Sequence, residues 1–282
     1  MVELAAGDYR LSAAPERGGA ILRLDWRGRP LMRPACGPSI LDAACFPLVP
    51  FSNRIANGRF VIGGREVRLR PNFPGSDHPH PLHGFGWLAA WRVLRQDARS
   101  VAMEHVHPAG EWPWAYRAEQ LLALDEAGLT MHLAATNTGD QAMPLGLGFH
   151  PYFPRDPDTR YRGLHRGEWR NDADCLPHSL DLRDEPRDWW GGAPVGARPV
   201  DTAYAGRAGP LEIAWPSRNL SLRLECSDEL TNTVVYTPAG EDFFCVEPVS
   251  NATDAFNRGE GRMLEPGATI EVSVRLTAAT ID

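Results

Sequence analysis

Along most of the chain, apolar and polar residues alternate with period two, and the alternating runs are broken by glycine-containing turns. That is the pattern of antiparallel strands joined by short hairpins. The clearest case is Phe60 to Arg70, where Phe60-Val61-Ile62 and Glu66-Val67-Arg68-Leu69 flank Gly63-Gly64, a pair suited to the positive backbone angles of a two-residue turn. Leu22 to Trp26 runs into Arg27-Gly28. Gln120 to Leu124 reaches Gly128 and returns through Leu129 to Ala135, and Thr269 to Leu276 alternates again. Helix signals are scarce, so the expected fold class is all-β. One stretch departs from the pattern: Arg155 to Pro199 is dense in Asp, Arg, Pro and Gly, with Trp169, Trp189 and Trp190 among them. It reads as long loops over a sheet. Alternation resumes on both sides of it and neither side carries a separate set of reactive groups, so residues 1–282 are expected to form a single domain.

Composition narrows the partners. The formal net charge is -7, with acidic residues spread rather than massed, which recommends neither nucleic acid nor an anionic membrane. Nine tryptophans and ten phenylalanines beside 25 prolines and 27 glycines describe a turn-rich fold with aromatic surface for stacking, and a neutral polar small molecule suits it. Met1 to Arg10 contains Glu3 and Asp8 and lacks both the basic start and the apolar run of a signal peptide. No window supplies the roughly twenty apolar residues of a membrane-spanning helix. Cys36, Cys45, Cys175, Cys226 and Cys245 are odd in number and scattered, as in a protein of a reducing, cytoplasmic compartment. Oligomeric state is left open.

Two segments carry one titratable side chain each inside an apolar run: Gly148-Phe149-His150-Pro151-Tyr152-Phe153 and Phe244-Cys245-Val246-Glu247-Pro248. The proline after each biases the residue before it toward extended backbone. On an extended strand Gly146, Gly148 and His150 share one face, which is thereby cleared of bulk for a ligand. A lone histidine in a strand is more often a hydrogen-bonded core residue, but a buried carboxylate without a partner costs several kcal/mol, and pairing with His150 would answer for Glu247. If the two face one cleft, the carboxylate raises the histidine's pKa and holds a protonated acid beside an ionised base. Asn53 and Arg54 supply donors at the start of a hairpin, against the plainer reading of a turn cap and a surface ion pair. In Asp77 to Trp87 three histidines fall within six positions, but prolines and the absence of a nearby cysteine argue against metal, and no metal site is expected. His83 stands apart, since Gly84 and Trp87 suggest an imidazole beside a close backbone approach and a ring. His105 and His107 are read as surface residues. Asp201 sits where loop gives way to ordered chain.

The order of these motifs says more than any one of them: N-R-I-x-x-G-x-F, then L-H-G, H-P-Y-F, an Asp in V-D-T-A-Y, and V-E-P-V-S ahead of Ala255-Phe256-Asn257. The sequence resembles the aldose 1-epimerase (mutarotase) family, in particular its shorter bacterial members. The resemblance implies a large antiparallel β-sandwich of the galactose mutarotase type, with a sugar held on one sheet and no cofactor. It matches Glu247 to the family's base, His150 to its principal acid and His83 to an assisting histidine, with Arg54, Asp201 and the neighbouring Asn53 at sugar-binding positions. Trp87, Trp114 and Tyr152 are candidates for stacking on the sugar. H-P-Y-F in place of H-S-Y-F bears on which sugar is used. The expected activity is anomer interconversion of a free aldose. A sugar phosphate, suggested by Arg65, Arg68 and Arg70, and a non-catalytic sugar-binding protein are the alternatives.

Overall fold

The structure, a computed structural model, describes residues 1–189 and 194–281. Its main element is a fourteen-stranded antiparallel sheet. The path begins at Pro47–Leu48 and runs through Gly148–Phe149, Phe243–Val249, Asn232–Tyr236, Asp201–Trp215 and Leu220–Cys226. It continues through Thr269–Ala279, Gly128–Asn137, Tyr116–Asp125, Ser100–His107 and Arg92–Gln96. A second sheet is made of Val2–Ala6, Tyr9–Ala14, Ala20–Trp26 and Arg29–Pro30. Among the described residues the only helices are 3-10 turns of three or four residues.

Period two does the folding. In Tyr116–Asp125 and Gly128–Asn137 every second residue is buried, and these residues join Leu4, Tyr9, Leu11 and Leu24 of the N-terminal sheet in one contiguous core. The Tyr9 hydroxyl ties the layers together, donating to the Ala127 carbonyl oxygen at 3.3 Å and accepting from the Ala278 N–H at 2.9 Å. Truncating a fully buried core leucine such as Leu222, 1% exposed, to alanine costs about 2–5 kcal/mol. The Phe60 to Arg70 hairpin forms as expected: Arg59–Ile62 pairs with Arg65–Arg68 across Gly63 and Gly64, both at positive φ.

Two expectations are corrected. Arg155 to Pro199 is not a set of loops: Arg160–Asn171 and Pro177–Asp188 are two long strands paired with each other, and the first also pairs with Asp201–Trp215. The alternation was there, with Tyr161, Gly163 and His165 buried between exposed Arg160, Arg162 and Arg166, but arginine and glycine at strand positions hid it. Trp190 lies outside the described residues. Gly146 and Gly148 do not clear space for a ligand either. A Cβ on Gly148 would sit 2.7 Å from the Pro248 carbonyl oxygen, and one on Gly146 would meet Asn251 at 3.1 Å. The glycines let two strands approach.

Candidate active site

Strand register sets out one face of the sheet. Asp201 is the opposite partner of Tyr236, Tyr236 of Cys245, and Cys245 of Tyr152. Glu247 lies two residues beyond Cys245 and therefore shares its face. His150 falls between Gly148–Phe149 and Tyr152–Pro154, and its backbone N–H donates to the Phe46 carbonyl oxygen at 2.9 Å, which carries its ring to Glu247. His150 Nε2 is 3.3 Å from Glu247 Oε1. Both line a cavity of about 270 Å³ together with Asn53, Arg54, His83 and Asp201. The six residues matched to the family's acid, base and sugar-binding positions thus meet at one place.

The opposite wall is built by local backbone geometry. Asn53 and His83 both have positive φ, 57° and 60°, and Gly84 follows at 73° with its Cα so close to Val49 that a Cβ would come within 2.2 Å of the Val49 carbonyl oxygen. Asn53 Oδ1 accepts from the Arg54 backbone N–H at 2.8 Å and from Arg54 Nη1 at 3.2 Å. Arg54 Nη2 then reaches Asp201 Oδ2 at 3.1 Å. The Asn53 backbone N–H donates to His83 Nδ1 at 3.2 Å, so a neutral His83 carries its proton on Nε2. His83 and His150 meet edge to face, 5.0 Å between centroids.

Burial dominates the electrostatics. Desolvation pushes the Glu247 carboxyl well above the usual carboxylate range, with Asp201 adding to the rise and Arg54 opposing it. Desolvation pulls His150 down to about 3, its own backbone opposing and Arg33 adding. His83 also falls well below the ordinary histidine value, through burial and then through His150 and Arg54. This corrects the expected charged pair. Desolvation is the largest cause on both groups and favours the uncharged form of each, a protonated Glu247 and a neutral His150. Glu247 Oε2 and His150 Nδ1 are buried without a protein hydrogen-bond partner.

Other expectations resolve as follows. Tyr152 lines the cavity, stacked on His150 at 4.7 Å and backed by the Arg33 guanidinium 4.1 Å from its ring. Trp87 and Trp114 do not: Trp87 is fully buried edge to face beneath His83, and Trp114 packs on Trp112. His80 is buried, 2% exposed, and accepts the Asn57 N–H on Nδ1. His105 and His107 are half-buried against Trp91, Phe85 and Tyr116 rather than on the surface. Arg65, Arg68 and Arg70 lie outside the cavity, facing Trp114, Glu66 and Glu111. Sequence reading missed Leu41, Phe73, Leu82, Tyr236 and Phe243, which complete the wall. Tyr236 had a usable signal, since alternation puts it on the face of Val234 in a strand beside Glu247.

A family model for aldose 1-epimerases matches residues 1–277. The chain belongs to the aldose 1-epimerase family. It is 34% identical, over an alignment 298 positions long, to the uncharacterized protein YphB of Escherichia coli K12, covering 97% of each. It is also 34% identical to the galactose mutarotase of Mus musculus, over 107 residues that cover 36% of this chain and 29% of that one. A solved candidate aldose 1-epimerase from Escherichia coli K12 superposes with a TM-score of 0.89 at 31% identity, covering 99% of this chain and 98% of that one. A galactose mutarotase-like protein from Clostridium acetobutylicum gives 0.86 at 18% identity over 99% and 95%, a likeness of fold. Large antiparallel sheets with only short helical turns agree with the galactose mutarotase-type sandwich of the family.

Proposed function

We propose that the protein is a mutarotase, a single-domain aldose 1-epimerase that interconverts the α and β anomers of a free, uncharged aldose by opening and closing its ring. The observation that carries this reading is the 3.3 Å separation of His150 Nε2 and Glu247 Oε1 on one cavity wall. The anomeric oxygen and the ring oxygen of a hemiacetal are both bonded to C1. Groups that serve them together must themselves lie side by side, as these do.

In ring opening, Glu247 as carboxylate takes the anomeric O–H proton while His150 as imidazolium delivers one to the ring oxygen. The C1 to ring-oxygen bond breaks and the C1 carbonyl forms. Concerted transfer of this kind is worth about 10²–10⁴-fold. Rotation about C1–C2 presents the other carbonyl face, and closure with both transfers reversed gives the opposite anomer. The pair left after ring opening is a protonated Glu247 and a neutral His150, the form that burial favours in the free pocket. Ring opening from rest therefore begins with one proton passing from Glu247 to His150. His83 Nε2–H and Arg54 supply donors to the oxygens where charge develops.

A cavity of about 270 Å³ is just below the usual size of ligand clefts, roughly 300–1,000 Å³, and suits one sugar ring. Among the described residues that line it Arg54 is the one arginine, and it already meets Asp201, so a phosphate would face two carboxyl groups, and the neutral sugar is the better fit. Free cysteines throughout the described chain fit a reducing compartment. The test is polarimetry on several freshly dissolved single-anomer aldoses. Wild type should speed mutarotation of at least one, and Glu247→Gln should not. Equal rates with wild type, Glu247→Gln and buffer on every sugar would refute the proposal.

A further inference from the structure

We infer that the base of this cavity, where the buried Cys245 lies beside the lining residues His150 and Glu247, is also a binding site for a thiophilic divalent cation such as Zn²⁺, with these three as its ligands. Cys245 and Glu247 are two residues apart on one strand and present their side chains on the same face, beside the His150 ring. One ligand atom from each lies within 4.8 Å of the others. Zinc–nitrogen and zinc–oxygen bonds of about 2.0–2.2 Å at a tetrahedral angle put their two ligand atoms about 3.4 Å apart. His150 Nε2 and Glu247 Oε1 are 3.3 Å apart. The Cys245 sulfur lies within 4.8 Å of a ligand atom on each, and binding draws it in to close the remaining edges. These residues are 0%, 7% and 2% exposed, so water competes weakly for the ion.

The donor set is selective. One sulfur, one imidazole nitrogen and one carboxylate oxygen suit Zn²⁺ and reject Mg²⁺ and Ca²⁺, which demand oxygen. A thiolate and a carboxylate neutralise the dication. Binding to the resting pocket therefore releases two protons, one from the Cys245 thiol and one from the Glu247 carboxyl, and leaves His150 neutral. Three protein ligands leave a fourth position toward the cavity for water or a sugar oxygen. A bound ion occupies both the proposed acid and the proposed base, so zinc acts here as an inhibitor that competes with sugar and plays no part in turnover. The sequence suggested no such set, because Cys245 is remote from His150 along the chain and C-x-E is not a recognised ligand spacing.

Metal binding is read without reference to activity, so the site stands or falls apart from the mutarotase proposal. Full-length protein is titrated with Co²⁺ and the near-ultraviolet thiolate-to-cobalt absorption is followed, while Zn²⁺ affinity is measured by competition with a chromophoric chelator. Wild type, and a Cys36→Ser/Cys175→Ser double variant as control for the accessible thiols, should show the band at one ion per chain. Cys245→Ser should lose the band and bind Zn²⁺ at least tenfold more weakly, with its circular dichroism retained. Glu247→Gln should keep the band and weaken Zn²⁺ at least tenfold. No band in wild type, or a band that persists in Cys245→Ser, would overturn the site. Should Cys245→Ser fail to fold, the Glu247→Gln result decides: undiminished Zn²⁺ affinity rejects the site.

Discussion

The backbone N–H of Asn53 donates to His83 Nδ1 at 3.2 Å, and the backbone N–H of His83 donates back to the Asn53 carbonyl oxygen at 3.0 Å. This reciprocal pair, with both residues at positive φ, fixes one nitrogen of His83 as an acceptor and leaves the other as a donor on the cavity wall. Burial holds the ring neutral. His83 should therefore not titrate between pH 5 and 8, and nitrogen chemical shifts of a labelled sample should show Nδ1 unprotonated throughout. A midpoint near the ordinary histidine value of about 6.5 would contradict it. His83→Phe, which removes the donor but keeps a ring, should lower kcat on the order of 10²-fold, the scale of a lost oxyanion donor.

Glu247 costs stability in the free protein. Its folded-state pKa is raised by burial, so its contribution is most favourable below the unfolded value of about 4.3 and is lost as pH rises through the folded value. At pH 7 and above, Glu247→Gln should therefore raise Tm while lowering kcat/KM by about 10²–10⁴. Each kcal/mol regained corresponds to about 2–4 °C for a chain somewhat smaller than this one. Scanning calorimetry at pH 8 and pH 4 checks the sign, and the gain should shrink at the lower pH.

His150 has the opposite linkage. Its folded-state pKa falls to about 3, below the unfolded value of about 6.5. The stability it contributes is fully present above about pH 6.5 and is lost as pH falls toward 3. Relative to wild type, His150→Asn should therefore gain in Tm progressively on acidification across that window. Equal slopes of Tm against pH for the two proteins would show that His150 is not desolvated as described.

Catalysis by such an inverted pair gives a distinctive pH profile. Only the state carrying one proton on the pair is active, so kcat/KM should stay level through pH 6.5, fall on the acid side only near the low His150 value, and fall on the basic side as Glu247 loses its proton. These are macroscopic values of the pair. Asp201 raises the Glu247 value and Arg54 lowers it, so Asp201→Asn should move the basic limb down and Arg54→Gln should move it up. Shifts in the same direction would contradict the electrostatic reading.

Much of this was legible in the chain, for physical reasons. His150 and Glu247 stood out because a titratable group inside an apolar strand needs a partner, and each supplied the other's. Gly84 marked a close backbone approach, borne out by its positive φ and its contact with Val49. What the residues alone did not reveal is long-range register: that Asp201 lies beside Tyr236, and Tyr236 beside Cys245, follows from strand order rather than from any local motif. The pair's protonation was misjudged because adjacency of opposite charges is visible in motifs, whereas depth of burial is not. The strands Arg160–Asn171 and Pro177–Asp188 read as loops in the sequence because arginine fills exposed positions of the first and arginine, aspartate and proline recur along the second.

The most direct measurement is a crystal structure of the Glu247→Gln protein with a bound aldose that the wild type anomerises. The account predicts the anomeric oxygen within about 2.6–3.2 Å of the residue-247 side chain, the ring oxygen at the same distance from His150 Nε2, and Arg54, His83 and Asp201 on the sugar's polar atoms. A sugar seated elsewhere, or one whose C1 faces away from both residues, would contradict it.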